Sequence, residues 1–281
     1  MFVQTDPELA NVRIDNQLGL TAERCAGYQR GVFFDAENGG TSAKVVVSGK
    51  FPAACGEYLL TRSVLTPPAY AYGLFQTLWR EVGGEFKGQL RSTVVTPGRR
   101  PFLTWSSRPL RDAIASINKF SNNVMARHLL LTIGAEHFGA PATVDKGIRA
   151  VEEHLQQEGF DITGLHVENG SGLSRETRVS PALLAALLQN AYSSPFMPEY
   201  LSSLSLSGYD GTMRRRFAGS GEAGRMHLKT GSMDDVSAVA GYVHAKSGKR
   251  YVVVGMLNHQ DAQRGPGQEL MDALLDWTYQ Q

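Results

Sequence analysis

The chain of 281 residues is 42% hydrophobic and 20% charged, enough apolar material for one large or two smaller domains with a buried core. Its formal net charge of +1 supplies no field for nucleic acid or an anionic membrane surface, so neither is expected as a partner. No apolar run is long enough to span a bilayer, and the opening MFVQTDPELANVRIDN has neither the basic start nor the apolar centre of a signal peptide.

The front of the chain, residues 1–101, reads as β-rich. Gly31–Asp35 and Ala43–Ser48 flank Glu37-Asn-Gly-Gly40, a hairpin signal. Leu74, Leu78 and Val82 share a helical face with Phe75 and Trp79 beside it, and a further strand is expected at Gln89–Thr96. Cys25 and Cys55 are the only cysteines and are not spaced as a metal pair; one disulfide and two buried thiols are both open readings. The break Pro97-Gly-Arg-Arg-Pro101 marks a domain boundary, giving 1–101 and 102–281.

Beyond it the pattern becomes helical. Leu110, Ile114 and Ile117 form a stripe that ends near Phe120-Ser-Asn-Asn123, and a second helix resumes with Met125 and Leu129. Val144, Ile148, Val151 and Leu155 keep helical spacing until Gly159. Ser180-Pro181 caps and opens a leucine-rich helix through Ala191. Strands follow at Met226–Gly231, Ala238–Ala245 and Tyr251–Leu257, then a last helix with Leu270, Leu274 and Trp277. Strands in front, helices in the middle and strands at the end imply an α+β fold.

Several patterns carry no chemistry. Gly219-Ser-Gly-Glu-Ala-Gly224 spells a dinucleotide fingerprint but leads into a strand, where the motif needs a helix N-terminus for the pyrophosphate. The histidines lack paired metal spacing, so no metal or other cofactor is expected. Arg214-Arg-Arg216 is too short for a nucleic-acid footprint, and no Gly-x-Ser-x-Gly elbow is present.

Two short motifs do belong together. Ser121-Asn-Asn123 matches Ser-x-Asn at a break between two amphipathic helices, and Lys229-Thr-Gly231 lies on a strand. Such pairs occur in penicillin-recognising serine enzymes, whose nucleophile comes from a Ser-x-x-Lys motif. The match extends through Ser107–Leu110, Asn118–Ala126, Asn169–Arg175, Tyr209-Asp-Gly-Thr212, Leu228–Ser232 and Ala240-Gly-Tyr242. On these residues the chain resembles the class C low-molecular-mass penicillin-binding proteins, the D-alanyl-D-alanine carboxypeptidase/endopeptidases of cell-wall metabolism.

The resemblance implies a penicillin-binding-protein/β-lactamase-like transpeptidase domain, an antiparallel sheet with helices, with residues 1–101 as part of a β-rich inserted domain. It implies peptidoglycan stem peptides and β-lactams as ligands, an acyl-enzyme route and a periplasmic setting. Ser121 would relay protons near the leaving group and Asn123 would bind the substrate amide. Lys229 would keep the site electropositive and Thr230, beside Gly231, would bind the terminal D-Ala carboxylate. The Ser232 N–H would form half of an oxyanion hole, and Arg175 would hold the stem. Arg127 stands where the family usually has an acidic residue, which puts a local salt bridge in doubt.

The nucleophile is the difficulty. The one literal Ser-x-x-Lys is Ser116-Ile-Asn-Lys119, two residues before Ser121, whereas the family's two motifs converge from separate segments. Ser116 is therefore not expected to attack. The expectation is a domain incomplete on its N-terminal side, exposing a sheet edge and part of a core. A non-catalytic peptide-binding remnant or scaffold is the alternative; a β-lactamase or esterase relative is disfavoured by the inserted front.

Overall fold

The structure is a computed structural model that describes residues 1–25 and 31–281. The chain forms two compact units, Met1–Leu103 and Thr104–Gln281. In the first, β1 (Val12–Thr21), β2 (Val32–Asn38) and β3 (Ala43–Pro52) make a sheet in the order β1-β3-β2. β2 and β3 are the antiparallel hairpin expected around Glu37–Gly40, while β1, unforeseen in the sequence, runs parallel to β3. Alternation along β3 buries Ala43, Val45 and Val47 on one face.

Helix α1 (Pro67–Glu81) starts with Thr66, whose hydroxyl accepts from the Ala69 N–H, followed by Pro67 in the first turn. It is tied to the strand side by Asn11, whose amide donates to Ala69 O (2.8 Å) and Thr41 O (2.7 Å). Cys25 and Cys55 are joined in a disulfide, which resolves the alternative that the spacing left open. The strand expected at Gln89–Thr96 is absent: these residues form no regular element, and Val94 and Val95 are exposed. Its β-branched residues favour a pleat only where a partner strand and a buried face are available, and neither is there.

The second unit begins with helices α2 (Leu110–Phe120), α3 (Asn123–Phe138) and α4 (Val144–Gln157). The last two approach closely because Gly134 and Gly147 face each other; a Cβ on Gly134 would lie 2.5 Å from the Gly147 nitrogen. Helices α5 (Pro181–Ser193) and α6 (Met197–Ser203) lead into β4 (Ser205–Leu206), β5 (Met226–Met233), β6 (Val236–His244) and β7 (Arg250–Asn258). These strands form an antiparallel sheet in sequence order, and α7 (Pro266–Gln280) closes the chain.

The sheet is covered on both faces. On one, Met226, Leu228, Val239, Val243 and Val253 pack with Met213 and with Met271, Leu275 and Tyr279 of α7. On the other, Tyr242 packs with Leu188 of α5 and Leu204, and its hydroxyl donates to Leu188 O at 2.6 Å. The Gly-x-Gly-x-x-Gly stretch at Gly219–Gly224 is a run of turns entering β5, as its sequence context requires. Among the described residues β7 has a strand neighbour only in β6, and Leu270 and Trp277 of α7 are exposed.

Leu275 is fully buried against the sheet, so Leu275→Ala is expected to lower stability by about 2–5 kcal/mol in denaturant unfolding. Leu270→Ala, on the exposed side of the same helix, should change it by no more than about 0.5 kcal/mol.

Candidate active site

The break between α2 and α3 determines which side chains are available. Ser121 ends α2 in the left-handed region (φ 53°, ψ 47°), its N–H donating to Ile117 O. The next residue, Asn122, caps α3 by accepting from the Met125 N–H at 3.0 Å. Capping therefore falls to Asn122, and the side chains of Ser121 and Asn123 are left for other partners. A turn that used Ser121 or Asn123 as the cap would have had no site to offer.

The end of α2 is held by the segment that follows α6. Lys119 Nζ donates to Leu204 O (2.9 Å) and pairs with Asp210 Oδ2 (2.6 Å), while Asp210 Oδ1 accepts from the Leu206 N–H (2.8 Å). Asn118 Nδ2 donates to Ser203 Oγ at 2.8 Å. Gly211 permits this proximity: its φ is 55°, and a Cβ there would lie 2.3 Å from Ser205 Oγ and 2.7 Å from Lys119 O. The Asp-Gly-Thr motif is thus the socket for the α2 terminus.

With α2 so fixed, Ser121 meets β5. Lys229 Nζ donates to Ser121 Oγ (2.9 Å) and to Thr230 O (2.9 Å). Lys229 has no carboxylate partner among the described residues, and burial pushes its ammonium below the ordinary lysine range. The result is a desolvated, unneutralised cation beside two hydroxyl residues.

Thr230 adds a chain of hydroxyls that the sequence did not single out. Thr230 Oγ1 donates to Thr212 Oγ1 (2.8 Å), Thr212 Oγ1 lies 3.3 Å from Ser205 Oγ, and Ser205 Oγ reaches Lys119 O at 3.4 Å. Each hydroxyl has a single proton. An anion that takes the Thr230 proton can be accommodated by Thr212 turning its own proton towards Thr230. The signal for Thr212 was its place in Tyr209-Asp-Gly-Thr212, but its role required the fold.

Asn123 is oriented by the 169–175 loop. Its Nδ2 donates to Ser171 O at 2.6 Å, and Asn169 Oδ1 accepts from both the N–H (2.9 Å) and the hydroxyl (2.6 Å) of Ser171. The loop is closed by reciprocal backbone bonds between His166 and Arg178. The Asn123 amide oxygen has no hydrogen-bond partner among the described residues, and so remains an acceptor.

β5 offers backbone as well. β4 pairs only with His227 and Leu228, so Lys229–Met233 has a strand neighbour only in β6 among the described residues. Met226 O accepts from Ser207 N (3.0 Å), which places Met226 on the β4-side set. By alternation Thr230 and Ser232 direct their backbone groups to the same side, here an open edge. Gly231 lies between them and pairs with Ala238.

Arg175 is engaged elsewhere. Its guanidinium lies 3.6 Å from Asp235 in the β5–β6 turn, both about half exposed. Both residues line a cleft of about 930 Å³ together with Ser174, Met233, Ala238 and Met256. The structure therefore links Ser121, Lys229 and Thr230 directly, while Asn123, at the start of α3, and Arg175, in the 169–175 loop, have partners of their own in Ser171 and Asp235. Ser116 Oγ donates to Asp112 O (3.0 Å), a bond within its own helix, and its neighbour Lys119 is committed to Asp210. Among the described residues no cluster of His, Cys, Asp and Glu could hold a metal ion.

Comparison with known proteins adds a family. The family model for the D-Ala-D-Ala carboxypeptidase 3 (S13) family matches residues 8–280. A D-alanyl-D-alanine carboxypeptidase of Actinomadura sp. is 33% identical over 213 residues, 73% of this chain and 39% of that protein. One from Haemophilus influenzae is 26% identical over 71% of this chain and 42% of its own length. The chain thus spans about two fifths of the length of these curated relatives. Among solved structures, penicillin binding protein 4 from Haemophilus influenzae superposes with a TM-score of 0.70 at 21% identity, over 96% of this chain and 61% of that one. The α+β architecture is therefore the penicillin-binding one.

Two outcomes follow from the geometry. NMR of methylated lysines should show Lys229 titrating below the ordinary lysine value of 10.5, and rising towards it when an anion binds. Anion affinity should accordingly fall as pH rises through that lowered value, because the ammonium is the binding form. Asn122→Ala should lower stability by about 1 kcal/mol in thermal or denaturant unfolding through loss of the cap.

Proposed function

The chain belongs to the D-Ala-D-Ala carboxypeptidase 3 (S13) family, and from that footing we propose that its second unit presents the substrate-side half of a peptidoglycan DD-peptidase site. The observation that carries this reading is the Lys229–Ser121 contact at 2.9 Å, made by a half-buried lysine that has no carboxylate partner among the described residues. A stem peptide ending in D-Ala-D-Ala carries a terminal carboxylate, and a cation backed by a hydroxyl donor is the chemistry that recognises one.

In this reading Lys229 and Thr230 hold the terminal carboxylate, with Thr212 supplying the compensating proton to Thr230. The Asn123 amide oxygen accepts the peptide N–H, since its nitrogen is already spent on Ser171 O. Ser121 lies where a proton could pass to the departing D-Ala amine. The Ser232 N–H, on the open edge of β5 beside Gly231, contributes to an oxyanion hole. A peptide laid along that edge would gain strand hydrogen bonds at the same time. Arg175, paired with Asp235, bounds the cleft rather than gripping the stem.

No attacking group is assigned. Ser-x-x-Lys occurs only at Ser116–Lys119, whose serine is bonded to its own helix and whose lysine is held by Asp210. The family reaction needs a serine hydroxyl to add to the D-Ala carbonyl and a base to take its proton. The 281-residue chain is therefore expected to bind stem peptides without hydrolysing them, which equally describes a peptide-binding or scaffold role. The Cys25–Cys55 disulfide supports an oxidising compartment such as the periplasm, where this substrate lies. Among the described residues no helix is long and apolar enough to cross a membrane.

Calorimetric titration tests the reading. An N-acylated peptide ending in D-Ala-D-Ala should bind about tenfold more tightly than its C-terminal amide. Thr212→Val should erode that preference while leaving binding of the amide unchanged, and Thr212→Ser should restore it. Equal affinities for acid and amide would remove the carboxylate assignment. Intact mass after incubation with penicillin should show no covalent adduct; an adduct mapped to Ser116 would make that serine the nucleophile.

A further inference from the structure

The end of the sheet away from Gly231 contains a second group of cations that the reading above does not use. A cavity of about 50 Å³ is lined by Tyr192, Leu201, Gly224, Arg225, His227, Tyr242, His244 and Arg250. These come from α5, α6, the loop before β5, and all three long strands. We propose that this cavity is a binding site for inorganic hydrogen phosphate.

Charge is the first argument. No carboxylate lines the cavity. Arg225 is exposed, and its side chain has no hydrogen-bond or ion-pair partner among the described residues. Arg250 donates through Nε to His244 Nε2 and through Nη1 to the Tyr192 hydroxyl, and its guanidinium lies 5.6 Å from the Tyr192 ring centre. The rest of its donor fork is uncommitted. Both guanidiniums lie close enough to His244 to add to the effect of burial in holding its imidazole neutral. Two unneutralised guanidiniums converging on one small cavity is an arrangement that an oxyanion stabilises.

The histidines say which oxyanion. A carbonyl oxygen can only accept, so His227 Nδ1, 3.1 Å from Leu201 O, must carry its proton. His227 Nε2 then presents a lone pair, and burial favours that neutral form. His244 accepts from Arg250 at Nε2, so its Nδ1 is a donor. The lining thus has several donors and, in His227 Nε2, a ring-nitrogen acceptor. Hydrogen phosphate matches this with oxygens that accept and one P–OH that donates; sulfate and carboxylate ions lack the donor at neutral pH. Size agrees, since a water occupies roughly 10–15 Å³ on this measure and a phosphate has a handful of heavy atoms.

The arrangement does not rest on the peptidase reading. The Lys119–Asp210 pair acts weakly on His227, and Asp210 opposes Lys119 there, so that pair leaves the local balance cationic.

Titration calorimetry of the full chain in a phosphate-free buffer tests the site. Inorganic phosphate should bind saturably at one site at neutral pH, and sulfate and glycerol 3-phosphate, which is largely dianionic there and has no P–OH, should bind at least about tenfold more weakly. Arg225→Gln, at an exposed unpartnered side chain, should weaken phosphate about tenfold, while Arg99→Gln in the first unit should leave it unchanged. Saturation by the ester alone would contradict the P–OH assignment. Absence of saturation by inorganic phosphate up to tens of millimolar, no effect of Arg225→Gln, or sulfate binding equal to phosphate would each overturn the proposal.

Discussion

The salt bridge between Lys119 and Asp210 is the constraint on which the second unit's site depends. Lys119 is only about a fifth exposed, and it ties the last turn of α2 both to Asp210 and to Leu204 O. Ser121 follows two residues later, in a left-handed conformation that turns the chain towards β5. Without that clamp, the last turn of α2 would keep the Asn118–Ser203 bond and the Ser205 contact to Lys119 O, and the Ser121 hydroxyl would be less firmly placed relative to Lys229. The same lysine is the last residue of Ser116-Ile-Asn-Lys119. What resembles a nucleophile motif in the letters is, in space, the anchor of the neighbouring one.

Two lysines at opposite sides of the site illustrate how pairing separates structure from binding. Lys119 has a carboxylate and a carbonyl, which satisfy its charge within the fold. Lys229 has only a hydroxyl and a carbonyl, so it bears the desolvation of burial without a counter-ion. A fold gains little stability by keeping such a charge, because a partly buried ammonium without an anion is unfavourable. Its retention is explained if a ligand supplies the anion. The Thr230–Thr212–Ser205 hydroxyls fit that view, since such a chain can reverse its direction of donation when an anion arrives.

Much of this was legible in the sequence where local physics decides. The helix boundary at Phe120, the cap at Ser180 with Pro181 behind it, and the β2–β3 hairpin depend on capping chemistry and turn residues close in the chain. The motifs at 121–123 and 229–231 were visible as letters. What stayed hidden depended on distant partners. Strand β1 pairs with β3 some thirty residues away in a parallel register that no turn announces. Gln89–Thr96 had the composition of a strand and no neighbour to pair with. Thr212 and Asp210 drew no role because their partners, Thr230 and Lys119, lie 18 and 91 residues away. That Asn122 and not Asn123 caps α3 was also beyond the letters, since either asparagine could serve until the backbone chose.

With a net charge of only +1, the chain can hold anions only where local pairing leaves a cation over. Arg216 has Asp272, Lys119 has Asp210, Arg149 has Glu153 and Arg175 has Asp235. Lys229, Arg225 and Arg250 have no carboxylate among the described residues, and all three lie on or beside the sheet. β5 connects them: His227 and Lys229 are two residues apart, on one face, roughly 7 Å along the strand. Between them Leu228 turns to the opposite face, where it is completely buried against the α7 core. The hydrophobic anchoring of the even positions is therefore what holds the odd, polar positions in place. A strand so anchored can present the Lys229 ammonium, with Arg225 at its entry, without a carboxylate beside either one, because packing on its other face opposes the repulsion that would otherwise displace it.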